Sequence, residues 1–233
     1  MKISQLTRPL FSPLILLLLS SGSVSSQDLV FHAGINVSGM NIRYYESLYN
    51  TSTYPILYPD LMISFDHRIS DRFSVRPGVW YNLQGKRVVM DIGSGIYYEE
   101  RFTINYLDLT FLATYHINPR KVNGYYIDLG FGPYTGYGFR GLVTGDNTAF
   151  VSEENLFLGQ AEIRRTDFGY LFNIGFGFHD NQLSLFLSGG LKNLAIEGGT
   201  YTRFKRISSG VNYTRTIDFS PNARRLYKKR FLK

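Results

Sequence analysis

The sequence predicts an all-β protein, an eight-stranded antiparallel up-and-down transmembrane β-barrel. Apolar and polar residues alternate with a period of two in eight segments, as in strands that have one face in an apolar medium. Short connections alternate strictly with long ones, which is typical of barrels in an outer membrane. Aromatic residues make up 16% of the chain, and they cluster toward the ends of the predicted strands.

The first segment of the 233-residue chain has the features of a secretory signal peptide. Lys2 and Arg8 flank the basic start, a leucine-rich core follows at residues 14–19, and small polar residues continue to Ser26. A spanning helix needs about 20 apolar residues, which this short core does not provide. The predicted organisation is a cleaved signal peptide at residues 1–26, an outer-membrane barrel domain at 27–219 and a basic tail at 220–233.

Alternation defines the strands in order along the mature chain. It is clear in six segments and weaker in the second and the last, where Arg215 interrupts an apolar face. The predicted strands lie at residues 29–41, 54–68, 73–88, 97–117, 125–140, 162–179, 183–194 and 204–219. An even number of strands returns both ends of the barrel to the periplasmic side.

The connections between these strands differ in length and composition. Residues 69–72, 118–124 and 180–182 are short and rich in turn-forming residues. Residues 41–53, 89–96, 141–161 and 195–203 are longer and polar or aromatic. The short links are therefore predicted to be periplasmic turns, and the long ones extracellular loops.

The polar face of each strand is predicted to line the interior. An eight-stranded barrel is only just wide enough for side chains to fill it, and glycine with a charged network suits that space. The charged residues predicted to point inward, together with Trp80, are Asp66, Arg68, Arg76, Asp108, Asp128, Arg140, Asp167 and Lys192. Two interpretations of these charges remain: a neutralised plug of salt bridges, which we favour, or a path for protons or ions.

Aromatic residues are predicted to form two belts at the membrane interfaces. The belt toward the long loops comprises Tyr44, Tyr45, Tyr49, Tyr54, Tyr58, Tyr97, Tyr98, Tyr134, Tyr137 and Phe139. The belt toward the short turns comprises Phe31, Phe65, Phe73, Tyr115, Tyr125, Phe176, Phe178 and Phe219. The general preference of Tyr and Phe for strands explains their number but not this clustering.

Five short motifs resemble those of the PorT-like outer-membrane β-barrel proteins. They are Phe31-His32-Ala33-Gly34-Ile35-Asn36, Phe73-Ser74-Val75-Arg76-Pro77-Gly78-Val79-Trp80-Tyr81, Asn105-Tyr106-Leu107-Asp108-Leu109, Asp167-Phe168-Gly169 and Gly190-Leu191-Lys192-Asn193-Leu194. The resemblance covers most of residues 27–219 and implies the barrel fold, with involvement in secretion or cell-envelope assembly. Such barrels often end on a terminal aromatic residue, whereas this chain continues past Phe219.

The sequence predicts no catalytic, cofactor-binding or metal-binding residues. There is no Cys, so disulfide frameworks and thiolate sites are excluded. The four histidines, His32, His67, His116 and His179, lie near the periplasmic ends of strands. They are interpreted as rim residues that are wet or hydrogen-bonded to turns, because their spacing indicates neither a metal site nor a Ser–His pair.

The net charge of +7 is concentrated outside the barrel domain. Six basic residues occupy the last 14 positions, whereas residues 27–219 hold 17 basic and 18 acidic groups. This distribution excludes nucleic acid as a partner of the domain. The remaining predicted partners are outer-membrane lipid and a protein or glycan bound by the external loops.

The sequence thus favours a non-enzymatic integral protein of the bacterial outer membrane with a structural, adhesive or envelope-assembly and secretion role. One alternative is an outer-membrane enzyme that acts on lipid or peptide. Another is a secreted soluble barrel that binds a ligand, with an apolar interior and a polar exterior. The sequence indicates no oligomeric state.

Overall fold

The computed structural model describes residues 27–44, 50–91, 97–118, 124–147, 150–158, 163–197 and 201–218. The predicted signal peptide and basic tail lie outside these residues, as do Tyr45, Tyr49 and Phe219 of the predicted aromatic belts. None of the described residues forms a helix long and apolar enough to cross a membrane.

Nine antiparallel strands make up the described part of the chain. They are β1 (Gln27–Tyr44), β2 (Asn50–Arg68), β3 (Phe73–Asp91), β4 (Tyr97–His116), β5 (Tyr125–Asn147), β6 (Phe150–Asn155), β7 (Thr166–Phe178), β8 (Asn181–Gly190) and β9 (Tyr201–Asp218). Eight of them form a closed ring in which β1 pairs with both β2 and β9, and β4 pairs with β5. The short strand β6 pairs with the distal end of β5 and extends it beyond the ring. The predicted eight-stranded up-and-down barrel is confirmed.

The two faces of each strand separate as the period of two predicts. On β8, for example, Leu183, Leu185 and Leu187 are about half exposed, whereas Ser184, Phe186 and Ser188 on the opposite face are buried. The same pattern continues around the ring, so large apolar side chains cover the outside of the barrel. A soluble barrel would place these side chains inside and polar ones in water.

Three short turns lie at the end of the barrel that also holds both ends of the described ring. They occupy residues 69–72, the link between β4 and β5, of which the structure describes residues 117–118 and 124, and residues 179–180. The last of them contains the only described non-glycine residue with a positive φ, His179 at 54°. We call this the turn end and the opposite end the loop end; the topology of outer-membrane barrels makes the turn end periplasmic.

Several strands are longer than predicted, and two are shorter. β2, β3 and β5 extend several residues further toward the loop end, to Asn50, Asp91 and Asn147. β7 begins only at Thr166 and β8 ends at Gly190, because the residues beyond them fold over the loop end, where Ile163 forms an isolated bridge with Ala195.

The two faces exchange polarity near the loop end. On β4, Leu107, Leu109 and Phe111 point outward opposite buried Asp108 and Thr110, but beyond Tyr106 the buried residues are Ile104 and Phe102. The outward residues there are Asn105, Thr103 and Arg101, which are polar. The strands therefore pass from an apolar exterior into a section with a polar exterior and an apolar interior, which is how a barrel emerges from a membrane into water.

Candidate functional site

The interior of the barrel is the first candidate site, and its turn-end half holds a buried ionic network. The guanidinium of Arg76 on β3 donates to Asp66 on β2 at 3.1 Å and to Asp128 on β5 at 2.8 Å. Asp128 also accepts from Gln182 on β8 at 3.2 Å and contacts Nδ1 of His116 at 2.6 Å. One cation and two carboxylates are thus held together by side chains from five strands, which we call the Arg76 network.

A second network surrounds Arg206 of β9, closer to the loop end. Its two terminal nitrogens donate to the two oxygens of Asp108 at 3.0 and 2.6 Å, and one lies 3.3 Å from Asp167. The guanidinium carbon stands 3.7 Å from the centre of the Tyr106 ring, and the Tyr134 hydroxyl donates to Asp167 at 2.9 Å. In this Arg206 network the cation is bound in the bidentate and stacked manner that arginine favours.

A mixed layer around Trp80 lies between these networks. The indole nitrogen of Trp80 donates to Asp60 at 3.1 Å, and its ring meets Phe186 edge-on with centroids 5.3 Å apart. The other buried side chains of this layer are Met62, Leu112, Tyr134 and Leu171. The layer occupies the central cross-section with bulky groups from strands on opposite sides of the ring.

An apolar cluster closes the interior at the loop end. Phe102, Ile104, Tyr106, Leu156, Leu194 and Phe204 are fully buried in it. Phe102 packs edge-on against both Tyr201 and Phe204, with centroids 5.8 and 6.2 Å apart. Leu156 and Leu194 come from segments after β6 and β8, so the loop-end connections contribute to the closure.

The inward charges are partly as predicted. Asp66, Arg76, Asp108, Asp128 and Asp167 are all buried inside the barrel. Arg68 is at the turn-end rim, 3.6 Å from Asp28, with its side chain 21% exposed.

The prediction that Arg140 and Lys192 point inward is wrong. Arg140 is exposed on the outside, because the register of β4 and β5 shifts between Asn105 and Tyr106 and moves it to the other face. Lys192 lies beyond the end of β8 and donates to Thr166 at 3.2 Å, at an exposed position.

The sequence interpretation does not include Arg206, which together with Arg76 is buried in the interior and contacts two carboxylates. A signal was present, because Arg206 is in phase with Ser208, Asn212 and Thr214, which share the buried face of β9. The signal is weak because the apolar face of this strand is interrupted by Arg215.

The aromatic residues at the turn end lie on the outside, as the belt prediction requires. Phe31, Phe65, Phe73, Tyr125, Phe176 and Phe178 are each at least 40% exposed. At the loop end Tyr54, Tyr97, Tyr137 and Phe139 are similarly exposed. Tyr134 was wrongly assigned to this belt: it is 2% exposed and points into the Arg206 network, since it shares the inward face with Gly132 and Gly136.

The interpretation of all four histidines as rim residues is wrong for two of them. His32 is 4% exposed and its two ring nitrogens contact Ser64 and Thr214 at 3.1 and 2.9 Å. His116 is equally buried and its Nε2 lies 3.0 Å from the Ser74 hydroxyl. Both point inward between strands because they occupy the polar face, not the turns.

Ser74, His116 and Asp128 therefore form a chain of contacts of the kind found in serine hydrolases. The spacing of these residues in the sequence gives no sign of it. Two features distinguish it from an active site: Ser74 is 2% exposed, and Asp128 also binds Arg76 and Gln182. Among the described residues, no three His, Asp or Glu side chains are grouped so that they could bind a metal ion.

Comparison with known proteins gives one family match and several structural ones. A sequence profile described as "Outer membrane protein beta-barrel domain" matches residues 23–194. No curated protein sequence matches the chain.

Three solved structures are among those similar to the chain. OprG, an outer membrane protein from Pseudomonas aeruginosa, has a TM-score of 0.48 and 10% identity, with 82% of this chain and 96% of that chain covered. Ail, the attachment invasion locus protein of Yersinia pestis, was solved with the heparin analogue sucrose octasulfate. It has a TM-score of 0.41 and 8% identity, with 83% of this chain and 100% of that chain covered. Neisserial surface protein A has a TM-score of 0.36 and 12% identity, with 82% of this chain and 99% of that chain covered.

The profile match, the closed ring and its apolar outer surface together make this chain an integral outer-membrane protein. The alternative of a secreted soluble barrel is wrong, because the side chains that would have to face water are Leu, Ile, Val and Phe around the whole ring. The lipid of the membrane is the medium that these side chains require.

Proposed function

Since the chain belongs to the outer membrane protein β-barrel domain family, we propose that it is a non-enzymatic, non-conducting barrel that acts through its loop end. The observation that carries this proposal is the interior, which is occupied by side chains from the Arg76 network to the apolar cluster. A barrel closed in this way serves as a rigid anchor for whatever it presents outside the cell.

The arrangement of charges supports the plug over an ion path. Arg76 and Arg206 each contact two carboxylates inside the barrel, so their charges are compensated by the protein and not by mobile ions. Any path would also have to cross the apolar cluster around Phe102 and Phe204, and hydrophobic constrictions exclude water and ions.

Single-channel recording tests this proposal. The purified protein, shown to be folded by heat-modifiable mobility on a detergent gel, is expected to give no defined conductance steps in planar bilayers. A matched variant, Phe102→Ser with Phe204→Ser, removes two rings from the cluster and shows whether the cluster is the barrier. Stable steps of uniform size from the unmodified protein would contradict the proposal.

The second part of the proposal is a binding role for the surface at the loop end. The outward residues Tyr97, Glu99 and Arg101 lie on the section of β4 whose exterior is polar, and Asn41 occupies the corresponding section of β1. A polar surface of this kind, with the exposed ring of Tyr97, suits a protein or a glycan. The resemblance to PorT-like barrels supports a partner in secretion or envelope assembly.

Photo-crosslinking in intact cells tests this binding role. A photoreactive amino acid at Tyr97 is expected to give a discrete adduct, whereas one at Phe176, on the lipid-facing side near the turn end, is not. Absence of an adduct at Tyr97, or the same adduct at both positions, would contradict a partner at the loop end.

The contact chain Ser74–His116–Asp128 is the one observation that points to a second candidate function, hydrolysis of an acyl bond. An active serine would react with a fluorophosphonate probe, and Ser74→Ala would abolish that reaction. Because Ser74 is buried and Asp128 is shared with Arg76, we expect no labelling of the folded protein. Labelling that depends on Ser74 would establish the enzyme instead.

A further inference from the structure

The outer surface formed by β1 and β9 changes abruptly toward the loop end. Its outward cross-strand pairs run from Leu29–Ile217 through Ile35–Val211 to Gly39–Ile207. The polar groups in these pairs are the side chains of Arg215 and Ser209 and the hydroxyl of Tyr213; the other side chains are apolar. The next two outward pairs are Asn41–Lys205 and Arg43–Arg203. Three cations thus lie together directly above the apolar surface; we call Arg43, Arg203 and Lys205 the basic ladder.

The height of the basic ladder corresponds to the membrane surface. Leu29 and Gly39 are ten residues apart, which is about 33 Å along a strand at ~3.3 Å per residue. A strand tilt of about 40° reduces this to about 25 Å, the usual height of the apolar band of an outer-membrane barrel. The interior agrees, since Ser38 and Ser208 are buried below this level and Met40 and Phe204 above it. The basic ladder therefore lies at the level of the outer-leaflet headgroups.

The charges of the basic ladder repel one another. Arg43 and Arg203 are direct cross-strand partners, a relation that places Cβ atoms about 4.5–5.5 Å apart and destabilises a sheet when the charges are alike. Within the described part of the chain, neither arginine nor Lys205 forms an ion pair. Arg43 is exposed and the other two are partly exposed, so an external anion has access to all three.

A second pair of facing arginines provides an internal comparison. Arg87 on β3 is the cross-strand partner of Arg101 on β4, but here the protein supplies the counter-charge. Glu99 accepts from Arg87 at 2.5 Å, and the Tyr54 ring lies 5.8 Å from the same guanidinium. Among the described residues, one arginine pair thus has an acidic partner from the protein, whereas the basic ladder has none and is accessible to an anion from outside.

We propose that the basic ladder binds the phosphate of a phosphorylated glycolipid in the outer leaflet of the membrane. Two guanidinium groups on adjacent strands can each present parallel N–H donors to phosphate oxygens, and Lys205 adds a third positive charge. The acyl chains of the same lipid would lie along the apolar surface formed by Ile207, Val37 and Ile35. Phosphate and acyl chains are in this way matched to two adjoining parts of one surface.

Native mass spectrometry of the full-length protein in a phosphate-free maltoside detergent tests this proposal. The probe is phosphorylated lipid A, compared with chemically dephosphorylated lipid A, phosphatidylglycerol and inorganic phosphate. We expect the protein to retain phosphorylated lipid A and the triple variant Arg43→Gln, Arg203→Gln, Lys205→Gln to bind it at least tenfold more weakly. The matched control Arg87→Gln, Arg101→Gln is expected to bind as the unmodified protein does.

The other outcomes each overturn the proposal. Equal binding of the dephosphorylated lipid would show that acyl contacts alone are sufficient. Equal binding of phosphatidylglycerol or inorganic phosphate would show that the basic ladder does not select a glycolipid. Equal loss in both variants would show a nonspecific charge effect. Heat-modifiable mobility shows that each variant is folded, and the outcome is independent of whether the barrel conducts or binds a partner at its loop end.

Discussion

At the scale of single residues, the buried charges of the Arg206 network determine the effect of a substitution. Asp108→Ala leaves Arg206 with Asp167, at 3.3 Å, as its one remaining carboxylate among the described residues, and breaking a buried ion pair costs about 3–5 kcal/mol. We expect Asp108→Ala to lower the free energy of unfolding by about 3 kcal/mol, measured by urea titration in detergent through the fluorescence of Trp80, the only tryptophan.

Two variants make this prediction specific to the buried pair. Asp71→Ala, in the exposed turn between β2 and β3, should change stability by less than about 0.5 kcal/mol. The triple variant Asp108→Leu, Arg206→Leu, Asp167→Asn removes the cation together with both of its carboxylates, and it should lose less stability than Asp108→Ala alone because it leaves no unpaired charge. Equal stability of Asp108→Ala and the unmodified protein would contradict the prediction.

The sequence predicted the inward direction of individual residues wherever the period of two is unbroken. The inward direction of Asp66, Arg76 and Asp108 follows from the alternation alone. Arg140 does not, because one irregularity in the pairing of β4 and β5 reverses the faces of the residues beyond it. The contact between Ser74 and His116 could not be predicted either, since it joins residues 42 positions apart through the barrel register.

At the scale of strands, close approach restricts the glycines on the inward face of β5. A Cβ at Gly132 would collide with the backbone carbonyl of Phe111 on β4, whereas one at Gly130 would meet nothing nearer than 3.5 Å. We expect Gly132→Ala to lower the free energy of unfolding by about 1–3 kcal/mol, the usual cost of overpacking. Gly130→Ala, two residues away on the same face, should be close to neutral in the same urea titration; equal effects would refute this account.

The strand order and the lipid-facing pattern were predictable, but the apolar cluster at the loop end was not. The prediction assigned apolar side chains to the exterior everywhere, and this holds only while a strand is in lipid. Above that level the exterior faces water, so Phe102, Ile104 and Phe204 turn inward while Arg101 and Lys205 face outward. In the sequence this exchange appears only as two successive apolar residues, Tyr106 and Leu107, which alternation alone does not interpret.

At the scale of the whole molecule, closure of the ring depends on the pairing of β1 with β9. The chain continues past the predicted last strand, but the ladder from Asp28–Asp218 to Tyr44–Tyr201 identifies Tyr201–Asp218 as the strand that closes the barrel. Deleting residues 219–233 removes the basic tail and no residue of this ladder. Deleting residues 201–233 exposes the unpaired edges of both β1 and β8, which lipid cannot satisfy.

We therefore expect the chain that ends at Asp218 to refold in detergent micelles and to keep its heat-modifiable mobility. The chain that ends at residue 200 should lose that mobility, because it also lacks Arg206 and leaves Asp108 and Asp167 without their shared cation. Refolding in vitro separates this requirement from recognition by the cellular assembly machinery. Loss of mobility in the longer truncation product would show that residues beyond β9 belong to the folded barrel, and retention in the shorter one would show that another pairing closes the ring.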